Sequence, residues 1–112
     1  IKEIYDKYSY TLDTHTAVAV KVYEDYKKAT GDNTKTVIAS TASPYKFSTA
    51  VLEAIEGKVS DMDEFDKVER LHEVSGYDVP KSLAELKNKP IRFTGAIGRD
   101  EMKDFVLKSL SL

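Results

Sequence analysis

Residues 36–47 read TVIASTASPYKF. The first four form a short, largely apolar run without alternation, a pattern typical of strands that are covered on both faces. Three hydroxyl residues follow the run, Ser40, Thr41 and Ser43. After Pro44, a helical spacing begins at Phe47. The stretch therefore predicts a buried strand, a tight turn and a helix.

Two helices are predicted upstream of this stretch. Residues 1–8 have helical spacing, and because the pattern is already under way at residue 1, we expect this helix to begin further upstream. Asp13 or Thr14 can cap a longer helix that Gly31 would end. Its apolar residues recur at helical spacing: Val18, Ala19, Val22, Tyr23 and Tyr26.

Helices also dominate the downstream half. Helical spacing places four of them at about residues 47–57, 63–76, 80–88 and 99–110. Ser60, three residues before Asp63, resembles part of a capping arrangement for the second of these helices. In the last helix, four apolar residues are expected to face inward: Met102, Phe105, Val106 and Leu110.

The single strand determines the predicted fold class. Its backbone groups need partners on both edges, and no second strand is evident in the 112 residues. We therefore expect an α/β protein that is mainly helical with one or few short parallel strands. Residues 1–112 would be a single domain or fragment of a larger doubly wound protein. Alone, such a fragment would have an open strand edge through which it could form a homodimer.

Composition excludes several classes of partner and site. The 17 basic and 19 acidic residues give a net charge of −2 without long charged blocks, so we expect no binding to nucleic acid or membranes. No apolar run approaches the roughly 20 residues that span a bilayer. The absence of cysteine excludes disulfides and fits the cytoplasm. No second ligand stands at metal-binding spacing from His15, so no metal site is predicted.

Two groups of polar residues are candidates for a binding site. In open α/β sheets, ligands bind beyond the carboxyl ends of the strands, where the hydroxyls at 40–43 can hydrogen-bond a ring nitrogen or a phosphate. These residues can equally cap the next helix or satisfy their own turn. The second group opens the helix after residue 12, where exposed amides favour an anion: Asp13, His15 and Thr16. Asp13 can equally act only as a cap.

Two segments resemble one known family. LDTHTAVAVKV at 12–22 resembles the Leu-Asp-Pro-His-Thr-Ala-Val segment of threonine synthase. IASTASPYKF at 38–47 resembles its Thr-Ala-His-Pro-x-Lys-Phe segment, in the same order and at a similar separation. The chain differs at Thr14, where the family has proline, and at Ser43, where it has histidine.

The resemblance implies an enzyme that uses pyridoxal phosphate and has a fold like that of the tryptophan synthase β subunit. Threonine synthase is a lyase that eliminates phosphate from O-phosphohomoserine, adds water and releases threonine. In this family a Ser or Thr hydroxyl meets the pyridine nitrogen, and Thr41 matches that position. Ser40 and Asp13 are implied as further residues of the cofactor pocket. The implied substrate-side residues are His15, Thr16, Ser43 and Lys46.

The family's Schiff-base lysine, in a Phe-Lys-Asp context, and its loop for the cofactor phosphate both precede the matching region. Neither occurs in this sequence. The N-terminal remainder of the same polypeptide is therefore the expected partner, and the isolated chain is predicted to be inactive. The residues alone also allow an alternative, a self-sufficient α/β domain that binds phosphate or regulates through the backbone amides of the turn at 40–43.

Overall fold

A computed structural model describes residues 1–59 and 61–112 of the chain. These residues form six α-helices: α1 Lys2–Tyr8, α2 Thr14–Thr30, α3 Ser48–Glu56, α4 Glu64–Ser75, α5 Lys81–Ala84 and α6 Met102–Ser109. Three 3₁₀ turns accompany them: Pro44–Phe47, Glu85–Asn88 and Arg99–Glu101. The helices predicted from the sequence are confirmed in order and approximate extent.

Capping residues set the ends of the two longest helices. Asp13 precedes α2 and accepts hydrogen bonds from its first turn, and Gly31 ends it with a φ of 69°. Asp63 and Gly76, with a φ of 70°, have the same roles in α4. Such positive φ values strain residues that carry a Cβ, which explains why glycine follows the C-terminus of each of these two helices. Ser60, predicted to share the cap of α4, lies outside the described residues.

The hydrophobic core forms where α3 packs against α4. Helix α3 buries Val51, Leu52 and Ile55, and α4 buries Leu71 against them. Tyr45, in the 3₁₀ turn before α3, joins the same cluster. Partly buried residues surround it: Ile1, Tyr5, Met62, Val68, Val74, Tyr77, Val79 and Leu83. We call residues 44–59 and 61–83 the body, because they contain nearly all of this core.

The strand predicted at residues 36–39 is not formed in this structure. Residues 1–59 and 61–112 contain no strand, and Val37, in the middle of the run, is 96% exposed. A strand is stabilised by backbone hydrogen bonds to a neighbouring strand, and the described chain provides none. The mainly helical part of the predicted fold class is confirmed. Parallel strands and a doubly wound sheet stay predictions for a larger protein.

The prediction that the last helix faces inward is wrong. All four residues expected to face inward are exposed: Met102, Phe105 and Val106 in α6, and Leu110 directly after it. Residues 84–112, which we call the C-terminal arm, are exposed throughout. The radius of gyration is 19.3 Å, whereas a compact chain of this length has about 13 Å, so the arm extends from the body. Within the described residues, no helix has the length and hydropathy needed to cross a membrane.

Candidate functional site

The carboxylate of Asp13 is the centre of the candidate site. It lies at the N-terminus of α2 and is only 1% exposed. Its Oδ1 accepts hydrogen bonds from the backbone amides of His15 at 2.9 Å and Thr16 at 3.1 Å. These are the contacts of an N-cap, so the capping role considered for Asp13 is confirmed.

The other carboxylate oxygen joins two distant segments of the chain. Asp13 Oδ2 accepts a hydrogen bond from the Thr16 hydroxyl and another from the Ser40 hydroxyl, whose Oγ lies 3.3 Å away. The Thr16 and Ser40 hydroxyl oxygens are also 3.3 Å apart. We call Asp13, Thr16 and Ser40 the Asp13 cluster. It attaches the turn after residues 36–39 to the start of α2, and so brings two predicted groups of site residues together.

The Asp13 cluster keeps its carboxylate ionised at neutral pH. Burial raises the pKa of Asp13, because it disfavours the charged form. Hydrogen bonds from Thr16, from the amide of His15 and from Ser40 outweigh burial, so the pKa lies below its ordinary value of 3.8. The Ser40 hydroxyl donates its one proton to this carboxylate. Toward a ligand, Ser40 therefore offers lone pairs rather than a proton.

Thr41 is the hydroxyl that remains available next to the cluster. Its residue is exposed, and no hydrogen bond from the described part of the chain engages its side chain. Because the preceding residue is held by Asp13, the position of the Thr41 backbone is restrained while its hydroxyl can still rotate. Thr41 can therefore donate to, or accept from, a group placed over the turn.

His15 connects the start of α2 with the start of α3. Its ring packs against Phe47 with the centroids 5.2 Å apart and the planes tilted by 44°. Its Nδ1 lies 3.4 Å from the Thr14 hydroxyl oxygen and 3.7 Å from Asp13 Oδ1. Most of the His15 side chain is nevertheless exposed. The structure therefore places His15 at the rim of the Asp13 cluster.

Ser43 and Lys46 lie on the body side of the turn. Ser43 Oγ accepts a hydrogen bond from the Tyr45 amide at 3.3 Å and caps the 3₁₀ turn, as the capping alternative predicted. Lys46 is exposed, with its Nζ 5.6 Å from the centroid of the Phe47 ring. In the described part of the chain, neither side chain forms a hydrogen bond or ion pair with the Asp13 cluster. The two backbone positions after the turn at 40–43 offer a ligand no free amide, because Pro44 has none and the Tyr45 amide is engaged by Ser43.

An apolar groove of about 450 Å³ opens beside the Asp13 cluster. Thr16 and Ser40 form its polar end. Its apolar lining comes from four parts of the chain: Ile4 and Tyr8 of α1, Tyr10 and Leu12 of the following loop, Val20 of α2, and Ile38 of the segment after α2. The sequence analysis missed the part that α1 plays here, although the helical spacing of Ile4 and Tyr8 was a usable signal.

Tyr77 is a second residue that the sequence analysis missed. Its backbone carbonyl accepts a hydrogen bond from the Tyr45 hydroxyl at 2.5 Å. His72 Nδ1 lies 2.6 Å from the same oxygen and must carry a hydrogen, since a carbonyl only accepts. The Tyr77 hydroxyl in turn accepts from the amide of Thr11, 3.4 Å away. Tyr77 thus links α4, the 3₁₀ turn Pro44–Phe47 and the loop before Asp13. No sequence motif predicts this role.

A family model described as "Threonine synthase, C-terminal" matches residues 16–106, which include Thr16, Ser40 and Thr41 but begin after Asp13. A threonine synthase from Methylobacillus glycogenes is 38% identical over 58 residues. That match covers 52% of this chain and 12% of the relative, so it spans a small part of the relative's length. No solved structure matches the chain.

Proposed function

This chain belongs to the family of threonine synthase C-terminal regions, and we propose that it supplies one wall of the pyridoxal phosphate site of a threonine synthase. The Asp13 cluster carries this proposal. It joins residues 12–22 to residues 38–47, the two segments on which the resemblance rests. If the two segments resembled the family only because each caps a helix, there would be no reason for them to contact each other directly.

The proposed reaction is the conversion of O-phosphohomoserine and water into threonine and phosphate. When bound, pyridoxal phosphate supplies an electron sink for carbanions next to the substrate nitrogen. The remainder of the polypeptide would supply the Schiff-base lysine and the phosphate loop. This chain would position the ring and exclude water from one of its sides.

The donor set of this chain fits the pyridine nitrogen. An unprotonated ring nitrogen needs a hydrogen-bond donor, and the proton of Ser40 is already given to Asp13. The exposed Thr41 hydroxyl is free to donate, which supports it as the group that meets the nitrogen. Unlike a carboxylate, a hydroxyl does not force the nitrogen to be protonated. We assign Ser40 and Asp13 the role of holding Thr41 in place.

We propose that His15 and Lys46 lie on the substrate side, because both are exposed polar groups beside the turn. The Thr16 hydroxyl donates to Asp13, so we propose that Thr16 shapes the polar end of the groove and does not bind the substrate directly. The contact of Ser43 with the Tyr45 amide supports a capping role in place of the family's histidine. A cytoplasmic location is part of the same proposal and rests on the absence of cysteine.

The gene distinguishes this function from a self-sufficient phosphate-binding or regulatory domain. A reading frame that continues upstream into a long segment with a Phe-Lys-Asp lysine favours the enzyme. A start codon immediately before Ile1 favours the alternative.

The direct test is the Thr41→Val variant of the full-length polypeptide. Valine preserves the shape and removes the hydroxyl, so we expect cofactor binding to persist while turnover of O-phosphohomoserine falls roughly ten- to a thousandfold. Thr36→Val is the matched control, since Thr36 is exposed in the same segment and, among the residues that the structure describes, its hydroxyl bonds only to the nearby carbonyl of Thr34. Undiminished turnover in Thr41→Val would remove Thr41 from the site.

A further inference from the structure

Helix α2 carries an apolar strip on its exposed side. Val18, Val22 and Tyr26 follow one another at four-residue spacing and are 63%, 62% and 49% exposed. Residues at this spacing lie on one face of a helix. We call these three residues the α2 strip.

The α2 strip is distinct from the face that attaches the helix to the rest of the chain. That attaching face includes Thr16, which is buried, together with Val20 and Tyr23, which are half-buried. Val20 also lines the groove beside the Asp13 cluster. A helix with apolar residues on two separate faces is typical of a helix that is packed between two layers.

The polar groups around the α2 strip are already paired within the chain. Lys21 Nζ lies 2.5 Å from Asp25 Oδ1, and the Tyr26 hydroxyl donates to Asp32 at 2.9 Å. Covering the strip would therefore leave few unsatisfied polar groups, which is the main cost of burying a helix face. The strip is suited to an apolar partner rather than to a charged one.

We propose that the α2 strip is the surface on which the remainder of the threonine synthase polypeptide packs. This inference rests on the proposed function. The matched segment is 12% of the Methylobacillus glycogenes relative, so a protein of that size has ample chain to cover the strip. The same α2 borders the groove and the Asp13 cluster, so a layer packed on α2 lies close to the site that it must complete.

A second copy of this chain suits the α2 strip less well. Three side chains expose on the order of a few hundred Å², which is a normal patch for a monomer. Specific interfaces between separate proteins bury roughly 600 Å² or more on each partner. A segment of the same polypeptide needs less area, because its effective concentration is already high.

Cysteine labelling of the full-length polypeptide tests this surface. The 112 residues contain no cysteine, so Val22→Cys adds the one thiol of this segment, and Lys28→Cys gives an exposed control on the same helix. We expect a maleimide to modify Cys at position 22 at least tenfold more slowly than at position 28, with equal rates in denaturant. The modified peptides are quantified by mass spectrometry.

Equal labelling rates at positions 22 and 28, in a polypeptide that converts O-phosphohomoserine, would contradict the proposal that the α2 strip is a packing surface and leave the proposed function intact. Protection of position 22 in a polypeptide without this activity would support the packing surface and contradict the proposed function. Protection in the isolated 112-residue chain that grows with its concentration would show that the occupant is a second copy, against the proposal.

Discussion

The body and helix α2 have similar amphipathic sequences but differ in what their apolar residues contact. In the body, Val51, Leu52 and Leu71 have no exposed surface. In α2, Val18 and Val22 have the regular spacing of a core-facing strip, yet both are largely exposed. The C-terminal arm behaves like α2, since the apolar positions of α6 are open to solvent.

This difference shows that periodicity predicts a helix more securely than it predicts burial. An apolar strip is buried only if the chain also provides a facing surface, as α4 does for α3. The exposed side of α2 and the arm have no such surface within the described residues. Under the proposed function, the facing layers belong to the remainder of a longer polypeptide.

The largest expected effect is a difference in the free energy of unfolding between a substitution in the body and one in α2. Leu52→Ala removes a fully buried side chain and should lower the free energy of unfolding of the 112-residue chain by about 2–5 kcal/mol. Val22→Ala, in the α2 strip, should change it by less than about 0.5 kcal/mol. Urea unfolding followed by circular dichroism measures both. A cost for Val22→Ala close to that of Leu52→Ala would show that the strip is buried after all.

The next effect compares the caps of α2 and α4. Asp13→Ala removes a buried cap that also holds Thr16 and Ser40, so we expect a loss of about 2 kcal/mol. Asp63→Ala removes a cap of the same type that is exposed, and we expect about 1 kcal/mol. Asp13→Ser should recover the capping part of the loss, about 1 kcal/mol. Equal costs for the two alanine variants would mean that the contacts of Asp13 with the Thr16 and Ser40 hydroxyls contribute nothing to stability.

A smaller effect is the pH dependence that Asp13 adds. Its pKa in the folded protein is depressed below 3.8, so its stabilisation is complete above that pH and is lost as the pH falls through the folded value. Asp13→Asn should therefore be less stable than the parent chain near pH 7, and the gap should narrow steadily in the acid range. Unfolding curves between pH 7 and pH 2 measure the gap. A gap that is independent of pH would contradict the depressed pKa.

Local chemistry explains which parts of the fold were predictable from sequence. Helix capping and termination depend on a few neighbouring residues: the ends at Gly31 and Gly76 were predicted, and Asp13 was one of the two predicted candidates for the cap of α2. The strand at residues 36–39 depends on partners that the described chain does not contain, so its sequence alone could not decide its structure. The inward face of α6 was mispredicted for the same reason.

The candidate site was only partly predictable. Asp13 and Ser40 were each expected at a site, through the resemblance and through their places at the start of a helix and after a predicted strand. Their direct contact spans 27 positions and follows from tertiary packing, which no local pattern encodes. Tyr77 acts through its backbone carbonyl and its hydroxyl, so its role depends on position more than on a recognisable motif.

The central claim is that this chain is one wall of a cofactor site and lacks the lysine that carries the cofactor. One neutral hydrogen bond from Thr41 contributes about 0.5–1.5 kcal/mol, whereas micromolar binding needs roughly 8 kcal/mol. The most direct measurement treats the 112-residue chain with pyridoxal phosphate and borohydride, locates modified lysines by mass spectrometry and assays phosphate release from O-phosphohomoserine. We predict weak, unsaturable modification spread over surface lysines and no turnover. Saturable modification of a single lysine together with turnover would contradict the account.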